Sequence, residues 1–377
     1  MAIVGTRPEA IKMIPVMRAI RAKPGLELIS VTTGQHREML DQVFEAFGER
    51  ADHDLAIMTP GQSLPALTRT VLERMTAVYA DLKPDIVLVH GDTTSAMAAA
   101  MAAFYTGVRI GHVEAGLRSG DLTQPWPEEF NRVTIDSIAD YRFAPTEGAR
   151  AHLENEYNRS SCIFVTGNTG IDALMIAAET LDRSPERTMS IAVRHPELAD
   201  EAVPLVLVTG HRRESFGKGF QSICDGLRAI AARGDVRMVY PVHLNPEVRG
   251  VVKARLGGHP NIRLIDPVDY FEMVWLMRRA KLILTDSGGI QEEAPALGKP
   301  VLVMRETTER PEALATGIVT LVGTDPARIV DEARRLLDDP DEYARRARPV
   351  FPYGDGKAAG RIAKALAEIA AELTVRR

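Results

Sequence analysis

Short apolar runs recur along the chain, each closed by glycine or a polar turn and followed by a stretch with apolar positions at helical spacing. The runs are "AIVG", "LISVTTG", "DIVLVHGDTT" and "VRIGHVEAG", then "PLVLVTG", "VRMVYPV", "IRLID", "KLILTDSGG" and "PVLVM". Brief, unbroken apolar runs between turns read as strands buried on both faces, which is the pattern of parallel sheets. Between them Glu9–Ala22, Leu64–Asp81, Gly219–Arg233 and Pro326–Leu337 carry amphipathic helical spacing,. The alternation predicts two doubly wound α/β domains of Rossmann-like type around a cleft. Met175–Val203 has no strand pattern and is rich in charge and proline, so the division is drawn at 1–168 and 169–356. A final amphipathic helix, 357–377, is expected to pack back on the first domain.

In open parallel sheets ligands bind beyond the C-terminal ends of the strands. Asp92, Glu114, His211 and the run Ser287, Gly288, Gly289 all fall there, each just after an apolar run. "TDSGGIQEE" is a strand-to-helix turn whose glycines let a phosphate approach backbone N–H groups, with Glu292 and Glu293 placed to reach ribose hydroxyls. The bland reading is a tight turn with acids near a helix start. The turn is neither a Walker loop nor a GxGxxG, which removes support from nucleoside triphosphatases and dehydrogenases. "VGTRPEAIK" has the same outline and offers Arg7 and Lys12 to phosphate oxygens,. "GHRRESFGKG" supplies His211, Arg212 and Arg213 on a basic loop, "TTERPEA" adds Arg310, and His243 fits a structural or rim position.

"HVEAGLRSGDLTQPWPEEFNR", His112 to Arg132, gathers more charge than a turn needs. Pro125 and Pro127 are expected to keep "QPWP" extended, with a helix beginning near Glu128. An i,i+4 pair of Glu128 with Arg132 would be the dull account, yet it leaves Glu114 and Asp92 unexplained. Several acids in one cleft repel, which raises the pKa of one or more and suits them to proton transfer near neutral pH.

Composition narrows the partners. The chain has 377 residues, 45% hydrophobic and 26% charged, with a formal net charge of −5; that argues against chain-wide attraction to nucleic acid or anionic lipid and leaves room for a local anion pocket. Cys162 and Cys224 have neither disulfide-framework nor metal-ligand spacing,. With no apolar stretch long enough for a membrane span and no signal-peptide pattern, a cytoplasmic setting is expected.

Taken in order, "GTRPEAIKMIPV", "GQHREMLDQVF", "VLVHGDTTS", "GHVEAGLRSGDL", "PWPEEFNR", "GNTGIDAL", "TGHRRESFGKGF", "YPVHLNP", "LTDSGGIQEEAPALGKPVLVMRETTERPEA" and "PYGDGKA" span nearly the whole chain. Together they resemble the bacterial non-hydrolysing UDP-N-acetylglucosamine 2-epimerase family. The resemblance implies a glycosyltransferase-B-like fold, a homodimer and no cofactor or metal. The reaction it implies is reversible inversion at C2 of UDP-N-acetylglucosamine (UDP-GlcNAc) to UDP-N-acetylmannosamine (UDP-ManNAc) through 2-acetamidoglucal and UDP. By motif position Asp92, Glu114 and Glu128 look like the family's acid/base carboxylates and His211 like its active-site histidine. Arg7, Lys12, Ser287, Gly288, Gly289, Glu293 and Arg310 look like its UDP contacts, and Gln35, Glu38 and Arg212 fit an activator site for a second UDP-GlcNAc. The chain departs from the pattern in a short first strand, with four residues before Gly5, and in Val268, where the family's uracil-side loop often carries Gln. A diacetamido-uronic acid UDP-sugar epimerase, a sugar transferase of the same fold and a non-catalytic UDP-sugar sensor are the competing readings.

Overall fold

Two parallel sheets organise the chain. The computed structural model describes residues 1–34, 37–57, 61–157, 162–198, 202–210 and 217–375, and it divides into Met1–Met175 with Tyr353–Arg377, and Ile176–Pro352. The first unit holds β1 (Ala2–Val4), β2 (Ser30–Thr32), β3 (His53–Asp54), β4 (Ile86–His90), β5 (Arg109–Val113), β6 (Tyr141–Ala144) and β7 (Ile163–Val165). Their spatial order is β3-β2-β1-β4-β5-β6-β7. The second unit holds β8 (Leu205–Thr209), β9 (Arg237–Pro241), β10 (Ile262–Ile265), β11 (Leu282–Thr285), β12 (Val301–Val303) and β13 (Val319–Leu321), in the order β10-β9-β8-β11-β12-β13. All their pairings are parallel. Strand order reverses direction beside β1 and again beside β8, creating at each a switch point where neighbouring turns diverge.

The apolar runs became strands because both faces are covered. In the first unit the alanine-rich helix Thr94–Thr106 is buried along most of its length, and Tyr79 of helix Leu64–Leu82 donates its hydroxyl to the Ala99 carbonyl at 3.1 Å. In the second, Phe220, Ile223 and Leu227 of helix Lys218–Ala231 pack with Val206, Val208 and Met238 of the sheet. Strands β3, β6, β7 and β13 lay outside the apolar runs. β3 is a two-residue exposed edge; β6 contains buried Arg142, which donates to the Asp136 carbonyl at 2.9 and 2.6 Å and stacks over the Tyr157 ring. Met175–Val203 carries the end of helix Thr169–Arg183, helix Pro185–Arg194 and a short 3-10 turn, Pro196–Leu198. Helix Ala358–Val375 lies in the first unit against helix Arg7–Arg21, its Ala358 and Ala359 amides donating to Asp172 at 3.1 and 2.9 Å. Among the described residues no helix is long and apolar enough to cross a membrane.

The turn after β1 is closed from within. Gly5 leaves no room for a side chain, since a Cβ there would lie 2.7 Å from Ser95 Cβ. Its amide and that of Thr6 donate to Glu9 Oε2 at 3.0 and 2.6 Å, while Thr93 donates its hydroxyl to Glu9 Oε1 at 2.7 Å. Glu9 is 3% exposed; burial pushes its carboxyl up to about 7, against the pull of those donors. A carboxyl raised in the folded state contributes stability that is fully present below its unfolded value near 4.5 and is lost as pH rises through about 7, on the order of 3 kcal/mol at the limit. The Glu9→Gln variant should therefore gain stability relative to the parent as pH is raised from 5 to 8, measured by urea unfolding at each pH; a parallel pH dependence in the two proteins would contradict the assignment. Gly116 follows β5 with φ +84, and a Cβ there would stand 2.3 Å from the Ala149 carbonyl oxygen. Gly116→Ala should cost at least about 2 kcal/mol in the same measurement.

Candidate active site

In the first unit the C-terminal ends of β1, β4 and β5 converge on one group of charged side chains. Glu114 stands just past β5 at φ +68, a left-handed conformation that side chains rarely adopt and that functional turns tolerate when their surroundings enforce it. The enforcement is visible: the Glu114 and Ala115 amides both donate to the Phe143 carbonyl at 3.1 Å. Lys12, one turn into helix Arg7–Arg21, forms an ion pair with Glu114 Oε2, both side chains being largely buried. His90, at the end of β4, brings its Nε2 to 3.7 Å from the same oxygen. Burial holds that imidazole down at about 4, although Glu114 pulls upward, so it is neutral at physiological pH. Arg7 begins the helix half-buried.

Asp92 lies in the turn after β4, half-buried, with its carbonyl accepting from Asn131 Nδ2 at 2.8 Å and its carboxylate paired with Arg132. This changes the account of the charge-rich segment. Arg132 does not close an i,i+4 pair with Glu128; it turns to Asp92 and approaches Glu129 Oε2 at 3.4 Å. Glu129 is buried and accepts the Ser119 and Gly120 amides at 2.9 and 3.2 Å, which folds the loop over the helix start. Glu128 opens helix Glu128–Ile138 half-buried, with no hydrogen bond or ion pair to the described residues, where the helix dipole favours a carboxylate. The segment before it is not simply extended, because both Gln124–Pro125 and Trp126–Pro127 are cis. The expectation of mutually repelling acids is likewise corrected: Glu114 and Asp92 each face a cation. The raised carboxyl nearby is Glu9, and burial rather than a like charge raises it.

The second unit presents the other half of the predicted residues. Ser287 follows β11 and caps helix Gly288–Ala296 with its backbone only; its amide donates to Thr285 Oγ1 at 2.9 Å. At Gly289 a Cβ would meet nothing nearer than Ser287 Oγ at 3.9 Å. A side chain at Gly289 would therefore meet nothing closer than ordinary contact, unlike one at Gly5. Gln291 is fully buried, donating to the Ser287 carbonyl at 3.2 Å and accepting from Thr308 at 2.6 Å, which ties the turn to the loop of Arg310. Arg310 Nε donates to Glu292 Oε1 at 2.6 Å; Glu292 is 2% exposed and is committed to that pair rather than offered to a ribose. Glu293 accepts the Tyr270 hydroxyl at 3.0 Å. Burial and the Glu293 charge push that phenol upward, so it remains a donor. Val268 is buried, and His243 is exposed with Nδ1 accepting the Asn245 amide at 3.1 Å.

His211, Arg212 and Gln35 lie outside the described residues, as does the side chain of Glu38, whose backbone belongs to helix Arg37–Ala46. Four contributors escaped sequence reasoning: Glu9, His90, Gln291 and the pair His112–Asp136. Only Glu9 left a local signal, since Thr6 followed three residues later by Glu reads as a helix-start box. The others depend on partners far away in sequence.

The model of the family described as UDP-N-acetylglucosamine 2-epimerase matches residues 18–367. The UDP-N-acetylglucosamine 2-epimerase of Escherichia coli (strain K12) is 53% identical over 367 residues, covering 97% of each chain. Among solved structures, the UDP-GlcNAc 2-epimerase of Neisseria meningitidis bound to UDP-GlcNAc has a TM-score of 0.93 and 44% identity, covering 97% of this chain and 99% of that one. The enzyme of Methanocaldococcus jannaschii in complex with UDP-GlcNAc and UDP has a TM-score of 0.82 and 32% identity, over 97% and 99%. These likenesses extend over both Rossmann-like units and fix the fold class as glycosyltransferase-B-like α/β. With the acid-bearing turns of the first unit and the glycine turn of the second, they establish that the chain is an isomerase belonging to the non-hydrolysing UDP-N-acetylglucosamine 2-epimerase family.

Proposed function

We propose that this chain interconverts UDP-GlcNAc and UDP-ManNAc by anti elimination of UDP and its re-addition. The observation that carries the reading is the cation-matched pair of acids, Glu114 with Lys12 and Asp92 with Arg132, at adjacent strand ends. Elimination breaks two bonds: a carboxylate takes the proton from C2, and the C1–O bond electrons leave with the UDP oxygen, giving 2-acetamidoglucal. Re-addition restores the C1–O bond while a carboxylic acid returns a proton to the opposite face of C2. Asp92, Glu114 and Glu128 are the carboxylates assigned to these transfers, and His211 is assigned to the departing phosphate. Arg7, Lys12 and Arg310 answer the diphosphate charge, with Ser287, Gly288 and Gly289 offering amides and Glu293 a ribose contact. Proton transfer by positioned carboxylates contributes about 10²–10⁴-fold to rate, and binding UDP through its phosphates keeps the leaving group in place for re-addition.

Gln35, Glu38 and Arg212 are proposed to receive a second UDP-GlcNAc as activator. A homodimer is proposed as the working assembly, supported by Phe104, Tyr105 and Phe130, exposed by 56%, 70% and 49% on two helices that pack together. A reducing cytoplasmic setting is proposed from the sparse cysteines, Cys162 and Cys224.

In D₂O, incubation with UDP-GlcNAc should yield UDP-ManNAc carrying deuterium at C2, followed by NMR. Free N-acetylmannosamine as first product would point to a hydrolysing enzyme, and sugar passed to an acceptor without epimer to a transferase. Glu114→Gln and Asp92→Asn should each lower turnover by about 10² or more while calorimetry still detects UDP binding; wild-type turnover in both would remove these acids from the mechanism. Light scattering should give the mass of two chains, and a monomer fully active at the same concentration would refute the dimer.

A further inference from the structure

We infer that the buried pair His112–Asp136 is a positioning device that sets the two acid-bearing turns of the first unit in register, an inference that rests on the epimerase reading. His112 lies on β5, fully buried. Its Nε2 is 2.7 Å from the Gly91 carbonyl oxygen, an atom that only accepts, so this nitrogen carries a proton. Its Nδ1 is 2.6 Å from Asp136 Oδ1. Asp136, also fully buried, accepts at Oδ2 from the Gly116 amide at 3.1 Å and from Arg118 Nη1 at 2.8 Å. Burial alone would raise that carboxyl, but His112 and Arg118 outweigh it and hold it below the usual carboxylate range. An ionised Asp136 surrounded by donors leaves Nδ1 to donate as well.

The two ends of the pair grip different turns. Gly91, at φ +65, immediately precedes Asp92. Gly116, at φ +84, stands two residues beyond Glu114. Through one ring and one carboxylate, the peptide leading to Asp92 is fastened to the turn leading away from Glu114. Burying an acid and an imidazole costs desolvation that well-packed apolar side chains would avoid; what apolar groups would not supply is a donor for Gly91 and an acceptor for Gly116. Neither side chain is among those assigned to the substrate, so both are positioning residues. Reacting groups displaced by about 1 Å lose on the order of 10² in rate, which sets the scale of the effect.

Two substitutions in the full chain separate positioning from packing. The His112→Gln amide reaches the place of Nε2 and can still donate to Gly91, whereas the His112→Asn amide reaches only the place of Nδ1. With UDP-GlcNAc as substrate, His112→Asn should lower kcat by about 30-fold or more with KM changed by less than about threefold, and His112→Gln should keep kcat within about tenfold of the parent. Equal losses in the two variants, or wild-type kcat in both, would overturn the inference. A parent that converts no UDP-GlcNAc would instead strike the epimerase reading, and the ring can then be examined directly. In ¹⁵N-histidine-labelled protein, the resonances lost on His112→Gln should report two protonated ring nitrogens in the parent. A ring with one proton overturns the inference whatever the enzyme does.

Discussion

Carboxylates at or beside the ends of strands buried on both faces stand where water is scarce, and the first unit depends on supplying each of them with a partner. Glu114 has Lys12, Asp92 has Arg132, Asp136 has His112 and Arg118, and Glu129 has two backbone amides. An unpaired charge so placed costs several kcal/mol or forces the group to take up a proton. Glu9 illustrates the second outcome: hydrogen-bond donors surround it, no cation among the described residues pairs with it, and its carboxyl rises toward neutrality. In the proposed reaction, pairing with Lys12 would also hold Glu114 in a fixed place, so that it need not be ordered during the reaction,.

The two glycine turns share an outline in sequence and differ in use. After β1, the amides of Gly5 and Thr6 are consumed by Glu9, so the turn is a rigid strut from which helix Arg7–Arg21 projects Lys12. After β11, the helix begins with a backbone-only cap and space above Gly289, and Gln291 braces the turn from below. The first turn uses its leading amides internally, whereas the second is the one proposed to offer its amides to phosphate,.

Much of the candidate site was legible because parallel sheets put functional side chains in a predictable place. Asp92, Glu114 and Ser287 were found by asking which polar residues follow apolar runs, and each stands within two residues of a strand end. What misled was neighbourhood in sequence. Arg132 lies four residues from Glu128 and forty from Asp92, yet it pairs with Asp92, because β4 and β5 are adjacent and helix Glu128–Ile138 returns across both turns. Glu292 looked available to a ribose beside Glu293, yet the loop of Arg310 closes on it.

The sequence by itself determined most of the strands, the turns after them and the residue types those turns present, since apolar periodicity and glycine placement act over a few residues. Family membership too was written in its ordered motifs. Only the tertiary structure decided which charge answers which: Lys12 with Glu114, Glu9 with Thr93, His112 with Asp136 and Gly91. The physical reason is that a hydrogen bond requires contact within about 3 Å, and contact between residues tens of positions apart is set by strand order and register, which local periodicity does not encode.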